Sequence, residues 1–284
     1  MAVGARNAQG NGQRRWDNTG RAMNTQTQNP DAAQVLKTEP VFLPALKTLL
    51  DGLLGFLYPE VCQICQEQSA GPRDGYVCAK CAGGVRQIEA PWCRRCGRPF
   101  AGNIGADFEC AHCADTPDFS RARSAVRFEG VVREAILRYK YRREMWLETF
   151  LVKLLLEKAA SDLRTGGWDM IIPVPLHRQK LSEREFNQAE RLARHLSRAT
   201  SLPLNCGWLK RIANTPSQTR LDRQQRAANV RRAFAVAKKA RLQGKRVVVV
   251  DDVFTTGATT NACARVLRQA GAAEVCVWTL ARGN

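Results

Sequence analysis

Val247–Val250, four β-branched residues in succession, fit a strand buried on both faces and commit this part of the chain to a parallel sheet. Asp251 and Asp252 stand where that strand is expected to end, over 246–252. Val253, Phe254, Thr255, Thr256, Gly257, Ala258 and Thr259 follow them. A helical pattern then places Ala262, Val266, Leu267 and Ala270 on one face. A strand, loop and helix in this order turn several backbone N–H groups towards one point, a ready site for a phosphate. Gly257 permits positive φ there, and the threonine hydroxyls can donate as well. The paired acids suit ribose hydroxyls, or a Mg²⁺ that a phosphorylated sugar brings with it. A Walker loop would need Gly-Lys-Ser/Thr and a dinucleotide fingerprint would need G-x-G-x-x-G; the stretch has neither.

Cysteine spacing defines a second feature. Eight of the eleven cysteines form four C-x-x-C pairs: Cys62/Cys65, Cys78/Cys81, Cys93/Cys96 and Cys110/Cys113. Neighbouring pairs of this kind favour metal over disulfides. Each pair is a knuckle whose two thiolates bite one tetrahedral Zn²⁺, and a site closes when two knuckles meet. The spacing suits two successive ribbons and also admits a cross-braced pairing, first with third and second with fourth. His112, inside the last knuckle, is read as a bystander, and Cys206, Cys263 and Cys276 as small buried hydrophobes. A segment this short has little core, so the two Zn²⁺ ions are expected to be structural and to supply much of its folding free energy. Arg94, Arg95 and Arg98 cluster at the third knuckle, where a zinc ribbon can present basic groups to nucleic acid.

The chain of 284 residues has room for one well-cored α/β domain and a smaller module. Residues 1–40 read as a disordered leader, 41–58 as an apolar helix, 59–118 as a double zinc-ribbon module and 120–284 as the α/β domain. The apolar run carries Pro44, Lys47 and Asp51 and is too short to span a bilayer; it suits a packing helix or a membrane-surface contact. With no targeting or transmembrane segment in view, a soluble cytoplasmic protein is expected. Strands are predicted at 123–130, 170–176, 204–212, 231–236, 246–252 and 274–280. Helical periods cover 131–164, with a break near Arg143, and 182–199, where Ser182 and Glu185 fit a capping box. Such alternation implies a parallel α/β sheet with its ligand at the carboxyl ends of the strands.

Lys and Arg outnumber Asp and Glu by 44 to 26, which predicts attraction to polyanions. From Arg178 to Arg246 there are 18 basic residues against four acidic ones. His177, Arg178 and Lys180 directly follow a strand end and are candidates to meet a diphosphate. Residues 211–230 are polar and Arg-rich, as a lid would be, with Arg220, Arg223 and Arg226 as phosphate clamps.

Residues 247–260 resemble the phosphoribosyl-pyrophosphate (PRPP) signature of type I phosphoribosyltransferases. From about 56 to 282 the chain resembles the ComF family, in which cysteine knuckles precede a phosphoribosyltransferase-like domain. The matching stretches are the four knuckles, PVPLHRQKLSEREFNQAE, TPSQTRLDRQQRAANV and GKRVVVVDDVFTTGATTNACARVLRQAGA. Glu185 departs from the family's usual glycine. The last three stretches also resemble the transferase half of glutamine-PRPP amidotransferase, although no N-terminal cysteine glutaminase is visible. The resemblance implies PRPP with Mg²⁺ as ligand and a role in natural transformation, handling single-stranded DNA alongside uptake helicase or channel proteins. It implies that Asp251 and Asp252 hold the ribose hydroxyls as the C1–diphosphate bond loosens. It also implies that Val253–Thr259 form the PRPP loop, with Thr255–Thr259 gripping the 5′-phosphate. Two function classes follow: an active phosphoribosyltransferase with an unknown acceptor, or a non-catalytic single-stranded-DNA adaptor that keeps the PRPP fold. The zinc module and residues 41–57 are expected to cover the acceptor site, so that deleting 1–120 would spare PRPP binding.

Overall fold

The alternation of strand and helix patterns resolves, in a computed structural model, into one sheet flanked by helices, with the cysteine ribbons at its N-terminal side. The structure describes residues 60–100, 102, 108–113, 117–213 and 232–283, all within the compact unit Tyr58–Asn284. The expected leader, the apolar helix at 41–58 and the lid arginines Arg220, Arg223 and Arg226 lie outside the described residues. Among the described residues no helix is long and apolar enough to cross a membrane.

The ribbons contain the short helix α1 (Ala79–Gly83). There follow β1 (Arg121–Arg127), α2 (Gly130–Tyr141), α3 (Glu148–Thr165), β2 (Met170–Pro173), α4 (Arg178–Arg184) and α5 (Gln188–Thr200). β3 (Leu209–Arg211), β4 (Phe234–Val236), β5 (Arg246–Phe254), α6 (Ala258–Gln269) and β6 (Glu274–Arg282) complete the order. Four strands form a parallel sheet in the order β1-β6-β5-β2, and β3 and β4 make a separate antiparallel pair. The long predicted strand at 204–212 is therefore cut to three residues, with Leu204 forming an isolated bridge to Ile171.

The period of two in β5 decides which helices sit where. Val248 and Val250 pack with Leu151, Leu155, Leu192 and Leu196 of α3 and α5. Val247 and Val249 pack with Ala262, Cys263 and Leu267 of α6. Each ribbon joins a different cluster: the first lends Val77 to the α3 side, the second its four cysteines to the α6 side. Cys263 and Cys276 are buried as expected, but Cys206 is exposed, because its segment runs along the surface between α5 and β3.

The helix predicted over 182–199 is two helices. Glu185 takes φ 67°, ends α4 and leaves Ser182 inside that helix, so the expected capping box does not form. Asn187 caps α5 instead: its side chain accepts from the Ala189 N–H at 3.1 Å while its own amide donates to the Val174 carbonyl at 3.0 Å. That second bond ties the turn to the end of β2. The left-handed conformation suits glycine better than this glutamate, since it costs an L-residue about 1–2 kcal/mol. Its ion pair with Arg143, 2.6 Å long between side chains about half exposed, returns at most about 1 kcal/mol. Glu185→Gly should therefore stabilise the protein, raising Tm by roughly 1–3 °C in a thermal melt; a lower Tm would show that the ion pair outweighs the backbone strain.

Candidate functional site

β5 runs two residues further than its valines predict, because pairing with β6 continues through Asp251 to Phe254. Asp251 and Asp252 thus lie within the strand, where successive side chains leave on opposite faces. A cation pairs with Asp252, and Asp251 lies in the field of the same cation and of Arg211. Lys140, in the last turn of α2, places its ammonium 2.6 Å from the Asp252 carboxylate, and both side chains are 14% exposed. Burial lowers the Arg211 guanidinium, against the pull of Cys263 and Asp251 beside it. Asp251 keeps some accessible surface, yet protein atoms surround most of it. Burial and the charge of Asp252 push it up to about 7, against the pull of Lys140, the Asp252 amide and Arg211. The amide contact is 2.8 Å.

Past Phe254 the chain turns through Thr255 and Thr256, both exposed, to Gly257 at φ 78°. A side chain at Gly257 would put its Cβ 2.6 Å from the Phe254 ring, so both the dihedral and the close approach require glycine. Gly257 is the N-cap of α6 and supplies no capping side chain. Thr256 Oγ1 accepts from the Ala258 N–H at 3.3 Å, and Thr260 Oγ1 donates to the Gly257 carbonyl at 3.1 Å. This arrangement presents the first turn of a twelve-residue helix to solvent beside two acids, the geometry in which a helix N-terminus receives an anion.

The predicted diphosphate contacts separate. Burial and the cations Arg211, Arg184 and Lys140 push the Lys180 ammonium down, so Lys180 belongs to the charged rim of the site. His177 instead caps α4, its Nδ1 accepting from the Gln179 N–H at 3.3 Å, and Arg178 is exposed. Lys140, Arg184 and Arg211 were absent from the sequence candidates. Arg211 carried a signal, because it shares a strand face with buried Leu209. Lys140 carried none, since a lysine closing a helix is ordinary dipole complementation. Arg184 stacks 4.9 Å over the Tyr141 ring, and Tyr141 is 64% exposed at the rim.

The cysteines settle the pairing left open by their spacing. Cys62, Cys65, Cys78 and Cys81 converge in one group, and Cys93, Cys96, Cys110 and Cys113 in another, so the ribbons are successive and not cross-braced. Sulfur separations are 3.8 Å for Cys65–Cys78 and Cys93–Cys113, 3.6 Å for Cys96–Cys110 and 3.7 Å for Cys110–Cys113. Tetrahedral ligands about 2.3 Å from zinc stand about 3.8 Å apart, so both groups fit the ion. Backbone donors aim at the sulfurs, from Cys78 to Cys62 at 3.3 Å and from Cys110 to Cys93 at 3.4 Å. Burial raises Cys62, but donors from Cys78, Cys65 and Ile64 outweigh it and bring the thiol down to about 6. Burial and neighbouring thiols push Cys81 and Cys113 up. Four thiolates at once need a cation among them. The basic cluster at the third knuckle lies at the surface but is paired within the ribbon: Arg94 and Arg95 face Glu109 at 3.0 and 3.5 Å, and Arg98 contacts His112.

Comparison with known proteins gives the same two parts. A double zinc ribbon domain model matches residues 53–116, and a phosphoribosyl transferase domain model matches residues 187–284. Competence protein F of Haemophilus influenzae is 30% identical over 220 residues, covering 72% of this chain and 96% of its own. DNA utilization protein YhgH of Salmonella typhimurium is 31% identical over 232 residues, covering 79% and 97%. Competence protein ComFC of Bacillus subtilis is 27% identical over 213 residues, covering 74% and 85%.

Proposed function

The chain belongs to the ComF family, and from that premise we propose that it binds PRPP and transfers its phosphoribosyl group to an acceptor met during DNA utilisation. The observation that carries this reading is the placement of Asp251 and Asp252 beside an open Thr/Gly turn, with Lys140, Lys180, Arg184 and Arg211 around them. The carboxylates accept from the ribose hydroxyls, the Thr255–Thr259 turn takes the 5′-phosphate, and the cations take the diphosphate. Val253 and Phe254 lead into that turn and hold it by backbone and ring. Mg²⁺ would neutralise the diphosphate, with Asp251 and Asp252 as the carboxylates nearest to hand. Lys140 holds Asp252 through Oδ2 and leaves Oδ1 to a ribose hydroxyl, so the ammonium stays beside the departing group. The C1–oxygen bond to diphosphate breaks, a bond from C1 to the acceptor forms, and the acceptor gives up a proton. The protein contributes position and charge. His177 and Arg178 act one step back, His177 through the cap that orients α4, and Arg220, Arg223 and Arg226 are proposed to close over the phosphates. On this plan residues 59–118 form the zinc module and 120–284 the transferase domain of a cytoplasmic protein that works with single-stranded DNA and an uptake helicase or channel.

Diphosphate release across a panel of bases and amines, with and without single-stranded DNA, tests the reading. Release with one acceptor class supports transfer. A second reading, a DNA-binding adaptor with a PRPP-responsive fold, draws on the formal charge of +18 and on the names of the relatives. It predicts no release in any mixture, with single-stranded-DNA affinity altered by PRPP.

Binding should depend on pH in one direction. Ionised Asp251 accepts from a ribose hydroxyl far more strongly than the acid form does, and its pKa of about 7 leaves it mostly protonated at pH 6. The ionised fraction grows about tenfold between pH 6 and pH 8, so PRPP affinity, corrected for the ligand's own ionisation, should rise about tenfold in calorimetry. Asp251→Asn should abolish that dependence; a flat profile in the unsubstituted protein would contradict the role given to Asp251.

A further inference from the structure

The turn between β5 and α6 is held at both ends by the second ribbon. Arg282, at the end of β6, is only 8% exposed. Its Nη1 donates to the Cys96 carbonyl at 2.6 Å, its Nη2 lies 3.6 Å from Cys96 Sγ, and its guanidinium sits 4.7 Å over the Phe254 ring. Phe254 is the ring beneath Gly257. Phe119, on the segment leaving the ribbon, meets the same ring edge-on at 6.1 Å. On the far side of the turn, the Asp118 N–H donates to Asn261 Oδ1 at 2.6 Å, and the Asp118 carboxylate pairs with Arg265 at 3.0 Å. The knuckle itself is pressed against the sheet, since a side chain at Gly97 would put its Cβ 2.6 Å from the Ala122 carbonyl. The first ribbon reaches elsewhere, through Arg138 to the Gln63 carbonyl and through Gly75 against Phe150 of α3.

A buried guanidinium needs a compensating charge. The partners of Arg282 are a carbonyl, the Cys96 sulfur and a ring. Four thiolates around one Zn²⁺ leave a centre anionic, so a metal-filled second site supplies what Arg282 requires. Losing the metal would free the Cys96 carbonyl to move and remove that charge together. We propose that the second zinc site is thermodynamically coupled to the PRPP turn through Arg282, which acts as a positioning residue: the ribbon fixes Arg282, and Arg282 fixes Phe254 under Gly257. The proposal rests on the turn being the PRPP site. Coupling of this kind is reciprocal, so PRPP must hold the second zinc as firmly as that zinc holds PRPP. It also reverses the expectation that deleting residues 1–120 spares PRPP binding, because that deletion removes Cys96.

The test uses the full chain with both zinc ions. PRPP with Mg²⁺ is titrated by calorimetry into the unsubstituted protein and Arg282→Lys, which keeps the charge and loses the planar fork. In parallel, a zinc-selective chelator is added with and without PRPP, and cysteines are alkylated as they are freed and located by mass spectrometry. With PRPP at ten times its Kd, labelling of Cys93, Cys96, Cys110 and Cys113 should slow about tenfold, while labelling of Cys62, Cys65, Cys78 and Cys81 is unchanged. Arg282→Lys should bind PRPP about tenfold more weakly and lose that selective protection although it starts with both metals. If the unsubstituted protein binds PRPP and both groups are labelled at PRPP-independent rates, the coupling is wrong and the site reading survives. Failure of the unsubstituted protein to bind PRPP removes both. Should Arg282→Lys not fold, the labelling of the unsubstituted protein decides alone.

Discussion

Asp251→Asn combined with Asp252→Asn should weaken PRPP binding by roughly 10²- to 10⁴-fold. Hydrogen bonds to a charged group contribute about 1.5–3 kcal/mol each, and two carboxylates are lost as charged acceptors. The single variants should have opposite effects on the unliganded fold, which separates lost binding from lost structure. Asp251 has its folded pKa raised from 3.8 to about 7, chiefly by burial and then by Asp252. Its contribution to stability is therefore complete below about pH 4 and is lost as pH rises through about 7. Asparagine removes that penalty, so Asp251→Asn should gain most in Tm at pH 8, less than half as much at pH 5 and almost nothing below about pH 4. Asp252→Asn instead strands the Lys140 ammonium, 14% exposed, and should lower Tm. A folded double variant with unchanged PRPP affinity in calorimetry would place the ligand elsewhere and remove the basis of the proposed function.

How far such a site can be read before folding depends on whether its parts are contiguous. The acids, the threonines and Gly257 lie within nine residues, and local rules suffice to recognise strand, turn and helix start. The charged rim is assembled from α2, α4 and β3, and no local pattern reports that Lys140 will arrive at Asp252. The break at Glu185 was hidden for a related reason. SEREFNQAE keeps a helical period on both sides of the turn, and what ends α4 is the anchoring of Asn187 to Val174, a contact with β2. Zinc ligation was legible by residue type and spacing, while the pairing was not. Successive and cross-braced ribbons use the same eight cysteines at the same separations, and only the three-dimensional grouping distinguishes them.

Removing zinc from the first site should melt that ribbon and leave the sheet standing. Its buried cluster consists of Cys62, Ala70 and Cys78, with Ile64, Cys65 and Cys81 packed against it, so most of this small core is ligand. Ordering about 25 residues costs roughly 1–2 kcal/mol each in backbone entropy, and so few apolar side chains cannot offset it. A structural zinc contributes about 10–16 kcal/mol in isolated finger peptides, the size of term that is missing. Cys78→Ser should therefore drop the metal content from two to one per chain by elemental analysis. In hydrogen exchange the amides of 60–85 should lose protection, including the Cys62 N–H bonded to the Gln68 carbonyl at 2.7 Å. β5 and β6 pair with each other over nine-residue strands inside the main core and should keep theirs. Cys93→Ser should reach further, because the second ribbon holds Arg282 and, through it, Phe254 at the end of β5. Persistence of slow exchange across 60–85 in Cys78→Ser lacking the first zinc would mean that contacts such as Val77 in the α3 core hold the ribbon by themselves, and that this zinc is dispensable for its fold.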